Sequence, residues 1–207
     1  MKKAVVLLSG GMDSAVTLCL SKKKGYKPYC LIFDYGQRHR KEILFAKKIA
    51  EDSNSEYNIL KISLPWKKSA LLDKSVPVPE NRILHKRINI PPTYVPARNT
   101  IFLSFALSYA EAIGAKAIFI GANAIDFSGY PDCRPGYFKA FNELSKKAIK
   151  AKGIRIEAPL LHKTKKEIAR IGQGLGVDFN KTWSCYKGGK MPCGVCDACR
   201  LRAKGFE

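Results

Sequence analysis

Residues 4–14 read AVVLLSGGMDS: a run of apolar residues, then Ser9, two glycines and an acidic residue where a helix should begin. A short apolar run bounded by glycine is the pattern of a strand covered on both faces. Ala4–Leu8 is therefore read as a buried parallel strand and Asp13–Lys24 as the helix that follows it. Two glycines let the backbone approach a ligand closely, and the free N–H groups and positive dipole end of the helix form an anion site. A phosphate group is the expected anion. The turn is neither G-x-x-x-x-G-K-[ST], since no lysine follows the glycines, nor G-x-G-x-x-G. Asp13 would repel phosphates unless a hard cation such as Mg²⁺ bridged the two, so a polyphosphate carried with magnesium fits. An ordinary strand-to-helix turn capped by Asp13 and Ser14 fits as well, and the rest of the chain has to decide.

The chain has 207 residues, enough for one sizeable core that buries about 70% of the unfolded surface. A hydrophobic content of 46% with no long apolar run suits a soluble globule, and the opening Met1-Lys2-Lys3 does not resemble a secretory leader. A cytoplasmic protein is expected. Lys and Arg number 37 against 17 Asp and Glu, a formal charge of +20, which favours polyanionic partners. The lysines fall in short clusters such as SKKKGYK and HKTKK rather than in a basic tail. A solvated lysine-rich surface is the preferred reading, and direct nucleic-acid binding is not expected.

Strands and helices alternate along the chain. KPYCLIFDYG gives a second strand, ending at Asp34; RKEILFAKKIAEDS an amphipathic helix; EYNILKISL a third strand. Residues 65–96 are proline-rich and read as a long loop over the surface, a kind of segment that is often functional. A helix over about Arg98–Gly114 places Ile101, Phe102, Phe105, Tyr109, Ala112 and Ile113 on one broad face. KAIFIGA is a fourth strand, Tyr137–Ala151 a helix, GIRIEAPL a fifth strand and KTKKEIARIGQGLG a helix ended by glycines. Such alternation predicts an α/β fold with a doubly wound, mostly parallel, five-stranded sheet. Ligands in such sheets bind beyond the carboxyl ends of the strands. SGGMDS, DYGQRH, GANAIDFSGYPDCR and the tail of EAPLLHKTKK collect on that rim.

Seven cysteines in a chain read as intracellular are expected to be mostly reduced. Cys185, Cys193, Cys196 and Cys199 lie close together near the end of the sequence and offer four soft ligands for one tetrahedral ion. A structural Zn²⁺ is preferred over an iron–sulfur site or redox thiols, because Gly188, Gly189 and Gly194 supply tight turns. The expected division is a main domain over residues 1–180 with a zinc-binding segment, 181–207, packed on it. DACRLRAKGF is read as a short helix whose two arginines are either surface charges or ligands for an anion.

Together these motifs are recognisable. SGGMDS resembles the pyrophosphate-binding loop of the N-type ATP pyrophosphatases, which share an adenine nucleotide alpha hydrolase-like fold. Within that superfamily, DYGQRH, VPARN, SGYPDCR and SCYKGGKMPCGVCDACRLRAKGF resemble the 7-cyano-7-deazaguanine synthases of the queuosine and archaeosine pathways. SGGMDS marks only the superfamily, whereas SGYPDCR joined to the four-cysteine tail is specific. The resemblance runs from residue 4 to residue 206. It implies two rounds of chemistry. ATP adenylates the carboxylate of 7-carboxy-7-deazaguanine and ammonia displaces AMP to give the amide. A second ATP then activates the amide oxygen, so that elimination leaves the nitrile. A tRNA thiolase or lysidine-type synthetase of the same superfamily is the alternative.

The resemblance also implies roles for residues. Leu7, Leu8, Ser9, Gly10, Gly11, Met12, Asp13, Ser14 and Asn99 would hold ATP, with Mg²⁺ beside Asp13. Lys163 is chosen to neutralise the leaving pyrophosphate, against its reading as one solvated lysine among Lys165 and Lys166. Arg98 would meet ATP or the substrate carboxylate, or else cap its helix. Phe127, Ser128, Gly129, Tyr130, Asp132 and Arg134 would bind the deazaguanine: Asp132 by its N–H edge, Tyr130 or Phe127 by stacking, Arg134 by its carboxylate. Phe127 reads equally well as a core residue. His39 is assigned a proton-transfer role, beside the commoner reading of a structural histidine. The resemblance further implies a homodimer. A thiolase would need a reactive cysteine on the rim, and Cys133 is the candidate there.

Overall fold

In a computed structural model of the chain, residues 1–82, 90–125 and 129–207 are described. Phe127 and Ser128 lie outside them. Five strands form one sheet: β1 (Lys2–Leu7), β2 (Tyr26–Asp34), β3 (Glu56–Lys61), β4 (Ala117–Ile120) and β5 (Arg155–Glu157). Their order is β3-β2-β1-β4-β5, and every pairing is parallel. The chain winds outward from β1 through β2 to β3, then returns to the other side of β1 as β4. The strand order thus reverses between β1 and β4, and that is where such sheets open a crevice for a ligand.

The central strands are apolar throughout because both faces are covered. Val5 and Leu7 of β1 point into one core with Leu31, Phe33, Ile118 and Ile120, under α3 (Arg98–Ala112) and α4 (Pro135–Ala148). Ala4, Val6 and Leu8 point the other way, joining Ile32 and Phe119 under α1 (Met12–Lys23) and α2 (Lys41–Asp52). The period of two along β1 divides the core. A further helix, α5 (Lys165–Gly174), packs on α1 where a Cβ at Gly172 would come within 2.8 Å of Val16.

Two expectations are corrected. The buried stripe of α3 is Asn99, Leu103, Ala106, Leu107 and Ala110, while Phe105 is 41% exposed. Leu103 and Leu107 fill the face on the sheet, and Phe102 stacks beside it on Phe33 with centroids 3.9 Å apart. The proline-rich stretch also does more than cross the surface. Ser69, Ala70, Leu71, Val78, Thr93 and Val95 are buried, and its backbone is tied down by Arg38 N–H to Leu71 O at 2.7 Å and Ala70 N–H to Pro92 O at 2.8 Å. Asn81 N–H reaches Val195 O at 3.0 Å, so the stretch packs against the cysteine-rich end of the chain. Among the described residues no helix is long and apolar enough to cross a membrane.

Candidate active site

The glycine turn sits at the β1/β4 crevice. Gly10 adopts φ +78°, and a Cβ there would lie 2.2 Å from the Glu42 carbonyl oxygen, so the turn closes on α2 only with glycine. Gly11 caps α1 without any side-chain hydrogen bond, which leaves the first N–H groups of the helix available. Ser14 Oγ donates to Gly11 O at 3.0 Å and accepts from Ser9 N–H at 3.2 Å and Ser9 Oγ at 3.1 Å, which fixes the turn. From the far side Gly121, just past β4, brings its backbone against the start of α1; a Cβ there would lie 3.0 Å from Asp13 C and Ser14 N.

A cavity of about 230 Å³ opens here. Of the residues assigned to ATP, Leu7, Leu8, Ser9, Gly11, Met12, Asp13, Ser14 and Asn99 line it. Gly10 does not, because its role is packing on α2. Arg98, His39 and Tyr130 line it as well.

The structure places Lys163 and Lys165 differently. Lys163 is half-exposed and lies 3.6 Å from Glu167, outside the cavity lining, whereas Lys165 is buried and its Nζ meets Asp13 Oδ2 at 2.5 Å. The signal was present in the sequence: Lys165 shares the buried stripe of α5 with Ile168, Ala169 and Gly172, and Lys163 does not. Lys165 is held there by a capping box in which Thr164 and Glu167 bond reciprocally. Asn123 binds the preceding turn, donating to Leu160 O at 3.2 Å and to Lys163 O.

The buried carboxylate of Asp132 accepts the Asn99 backbone N–H at 3.0 Å, and Asn99 Nδ2 donates back to Asp132 O at 3.1 Å. Ala97, the residue before α3, is left-handed at φ 51° and supplies no side-chain cap, so Asp132 satisfies the helix end from a distance. Arg134 is exposed at the start of α4 and, like Gly129, does not line the cavity.

His39 is buried. Its Nε2 lies 3.1 Å from Glu42 Oε2, Gln37 Nε2 holds the other Glu42 oxygen at 3.0 Å, and His39 Nδ1 has no hydrogen-bond partner among the described residues. Cys133 lines the cavity, but burial, with the Asp132 charge, pushes its thiol up to about 12 despite the nearby Arg98 and a hydrogen bond from Asn99. Near neutrality it is a poor nucleophile. Beside it Tyr35, Tyr130, Tyr186 and Phe102 make an aromatic wall. Burial raises the Tyr130 phenol, whose hydroxyl pairs with Thr93 Oγ1 at 2.8 Å.

The cysteine-rich segment completes the cavity. The Sγ atoms of Cys185, Cys193, Cys196 and Cys199 lie within 4.8 Å of one another, and backbone N–H groups of Cys193 and Cys196 each reach a sulfur at 3.4 Å. One ion with metal–sulfur bonds of about 2.3 Å would hold tetrahedral sulfurs roughly 3.8 Å apart, close to the 4.0 Å between Cys193 and Cys199. The cluster can therefore hold one metal ion. Its neighbours reach the glycine turn: Trp183 N–H donates to Gly10 O at 2.8 Å, and Trp183 Nε1 donates to Cys185 O at 3.0 Å. From α6 (Asp197–Ala203), Ala198, Leu201 and Arg202 line the cavity beside Ser184. Sequence reasoning missed Trp183 and Tyr186, because no local pattern shows that the end of the chain returns to its first turn.

Comparison with known proteins agrees. Two solved structures share the fold: an NMN synthetase from Francisella tularensis (TM-score 0.54, 20% identity, 91% of this chain and 68% of that one) and the U34-tRNA thiolase NcsA from Methanococcus maripaludis (TM-score 0.53, 19% identity, 99% and 64%). At such identities they speak for the fold alone. The 7-cyano-7-deazaguanine synthase of Trichodesmium erythraeum is 49% identical over 99% of this chain and 96% of its own length. That of Thermoplasma acidophilum is 51% identical over 99% and 87%. The sequence also matches the family described as queuosine biosynthesis protein QueC over residues 3–207. The chain belongs to the QueC family.

Proposed function

We propose that the chain is a 7-cyano-7-deazaguanine synthase, an ATP-dependent ligase that forms the nitrile from 7-carboxy-7-deazaguanine and ammonia in the queuosine pathway. The observation that carries the nucleotide half is the uncapped α1 terminus at the strand-order reversal, with Lys165 set beside it. The relatives' names carry the substrate half.

The N–H groups at the start of α1 receive the pyrophosphate, and Lys165 neutralises it as it leaves. Both are in place before the reaction, so little reorganisation is needed. Magnesium carried in with the nucleotide is assigned to Asp13, whose Oδ1 makes no hydrogen bond to the described residues; it would neutralise phosphate charge. The aromatic wall offers faces for the base, and Arg98 a partner for the carboxylate. His39, braced by Glu42, is the group assigned to take a proton from the attacking ammonia. No covalent nucleophile is invoked, in keeping with the protonated thiol of Cys133. The sulfur spacing and the two N–H···S bonds favour one structural Zn²⁺ at the four cysteines. A homodimer is also proposed; exposed Phe105 on α3 and Ile59 on the edge strand β3 are apolar surface for it.

The test is mass spectrometry of purified protein with ATP, Mg²⁺, ammonium and 7-carboxy-7-deazaguanine. Nitrile with two AMP per turnover is the expected result. AMP formation only when tRNA replaces the small acid would assign the chain to tRNA chemistry instead.

A further inference from the structure

Among the described residues lining the cavity, three side chains carry permanent positive charge: Arg98, Lys165 and Arg202. Lys165 is drawn to Asp13 at 2.5 Å. Arg202 is spent on the protein, donating to Thr182 Oγ1 at 2.6 Å and Phe179 O at 2.5 Å. Arg98 differs. Among the described residues its guanidinium makes one long hydrogen bond, to the Tyr35 hydroxyl at 3.4 Å, and lies 5.9 Å from the centre of the Phe102 ring. A guanidinium has five N–H donors, so most remain for a ligand. Among the described residues, the carboxylates that line the cavity, Asp13 and Glu42, are already engaged by Lys165 and by His39 with Gln37. The Arg98 backbone is fixed as well, because Asp132 binds the N–H of the next residue.

A cation with unused donors in an aromatic wall suits a planar ligand that carries an anion. We propose that Arg98 reads the charge of the substrate's reacting group and serves the first round of the reaction only. This rests on the function proposed above. In round one, a carboxylate oxygen attacks the α-phosphorus of ATP and the bond to pyrophosphate breaks. The other oxygen stays in the Arg98 fork. Ammonia's lone pair then forms the C–N bond, AMP leaves with the C–O electron pair, and a proton is released. The product is neutral. In round two the amide oxygen attacks the α-phosphorus of a second ATP and pyrophosphate leaves. Departure of AMP and loss of both N–H protons then form the C≡N bond. The amide nitrogen offers only donors, which a guanidinium cannot accept, and no charge remains to be paired. Arg98 therefore favours the acid over the amide and distinguishes the two rounds within one cavity.

The experiment compares wild type with Arg98→Gln, each supplied with ATP, Mg²⁺ and ammonium and with either the acid or the synthetic amide, nitrile being measured by mass spectrometry. Arg98→Gln should lose about a hundredfold in kcat/KM with the acid, the scale of a lost charge-assisted hydrogen-bonded pair. With the amide it should stay within about threefold of wild type, which also shows that the fold and the nucleotide site are intact. Arg98→Lys, which keeps the charge but not the fork, should recover part of the acid reaction and with it part of the acid-to-amide ratio. Equal losses with both substrates, or no loss with either, would overturn the proposal. If Arg98→Gln shows no thermal unfolding transition, the same acid-to-amide ratio in Arg98→Lys and Arg98→Met decides. A wild-type enzyme that makes nitrile from neither substrate would refute the function itself, a result distinct from any change in that ratio.

Discussion

Lys165 Nζ lies 2.5 Å from Asp13 Oδ2, joining the first turn of α5 to the first turn of α1 across the mouth of the crevice. Both side chains are largely buried, and removing either leaves an opposite charge short of a partner. Lys165→Met should lower kcat/KM for ATP by at least about a hundredfold, the scale of one lost charge stabiliser. Lys163→Met, on a half-exposed lysine paired with Glu167, should stay within about threefold. Pyrophosphate release measured on both variants checks the contrast.

Gly10→Ala should destabilise the fold. Its Cβ would meet the Glu42 carbonyl at 2.2 Å and Ala46 N at 2.8 Å, and φ is +78°. Strain at a left-handed position together with overpacking costs about 2–5 kcal/mol, read as a lower urea midpoint. Gly121→Ala meets backbone at 3.0 Å instead. It should be milder in stability, at about 1–2 kcal/mol, yet impair ATP binding by shifting the start of α1.

Asp132→Ala should cost about 1–2 kcal/mol through the unsatisfied end of α3. Because Arg98 and Asn99 begin that helix, the acid-dependent reaction should fall further than thermal stability alone explains. Asp132→Asn, which keeps an acceptor oxygen, should restore most of both. Unfolding curves and initial rates on the same preparations separate the two effects.

Cys133 supplies a pH test. Its thiol rises from 9.0 in the open chain to about 12 in the fold, chiefly by burial. The folded state therefore holds the proton more tightly than the unfolded state. The stabilisation is fully present below about pH 9 and is lost as pH climbs from 9 towards 12. Cys30 behaves alike and adds to the slope. Cys133→Ala should retain nitrile formation within about tenfold and show a shallower loss of stability above pH 9. Abolition of activity by this substitution would contradict the protonated, non-nucleophilic role.

Removal of metal from the four cysteines should cost nucleotide affinity as well as stability. Trp183, whose N–H holds Gly10 O, packs in one apolar cluster with Cys185, Cys196 and Cys199. Chelation followed by titration with an ATP analogue should show at least about tenfold weaker binding, with recovery on adding Zn²⁺.

What the sequence revealed divides along physical lines. The strand and helix order was legible because β1, β2 and β4 are apolar runs bounded by turns, a local signal. The glycine turn and the cysteine spacing were legible because their chemistry is carried by neighbouring residues. The choice between Lys163 and Lys165 needed the helical stripe of α5, where a charged residue at an apolar position marks a buried partner. The face of α3 was misjudged because apolar residues lie on several sides of that helix, so the pattern alone does not choose the side that meets the sheet. The Asp132–Asn99 and Trp183–Gly10 bonds join segments far apart in sequence, and nothing local announces them.

The Trp183–Gly10 bond also bears on how the enzyme comes into being. The glycine turn leaves the ribosome well before Trp183, whose N–H braces it. A nascent chain can pair β1 with β2 and β4 while its nucleotide site still lacks a wall. Chains cut before Trp183 should thus lack that wall, and metal loading of the four cysteines should coincide with the moment the site first becomes able to hold ATP.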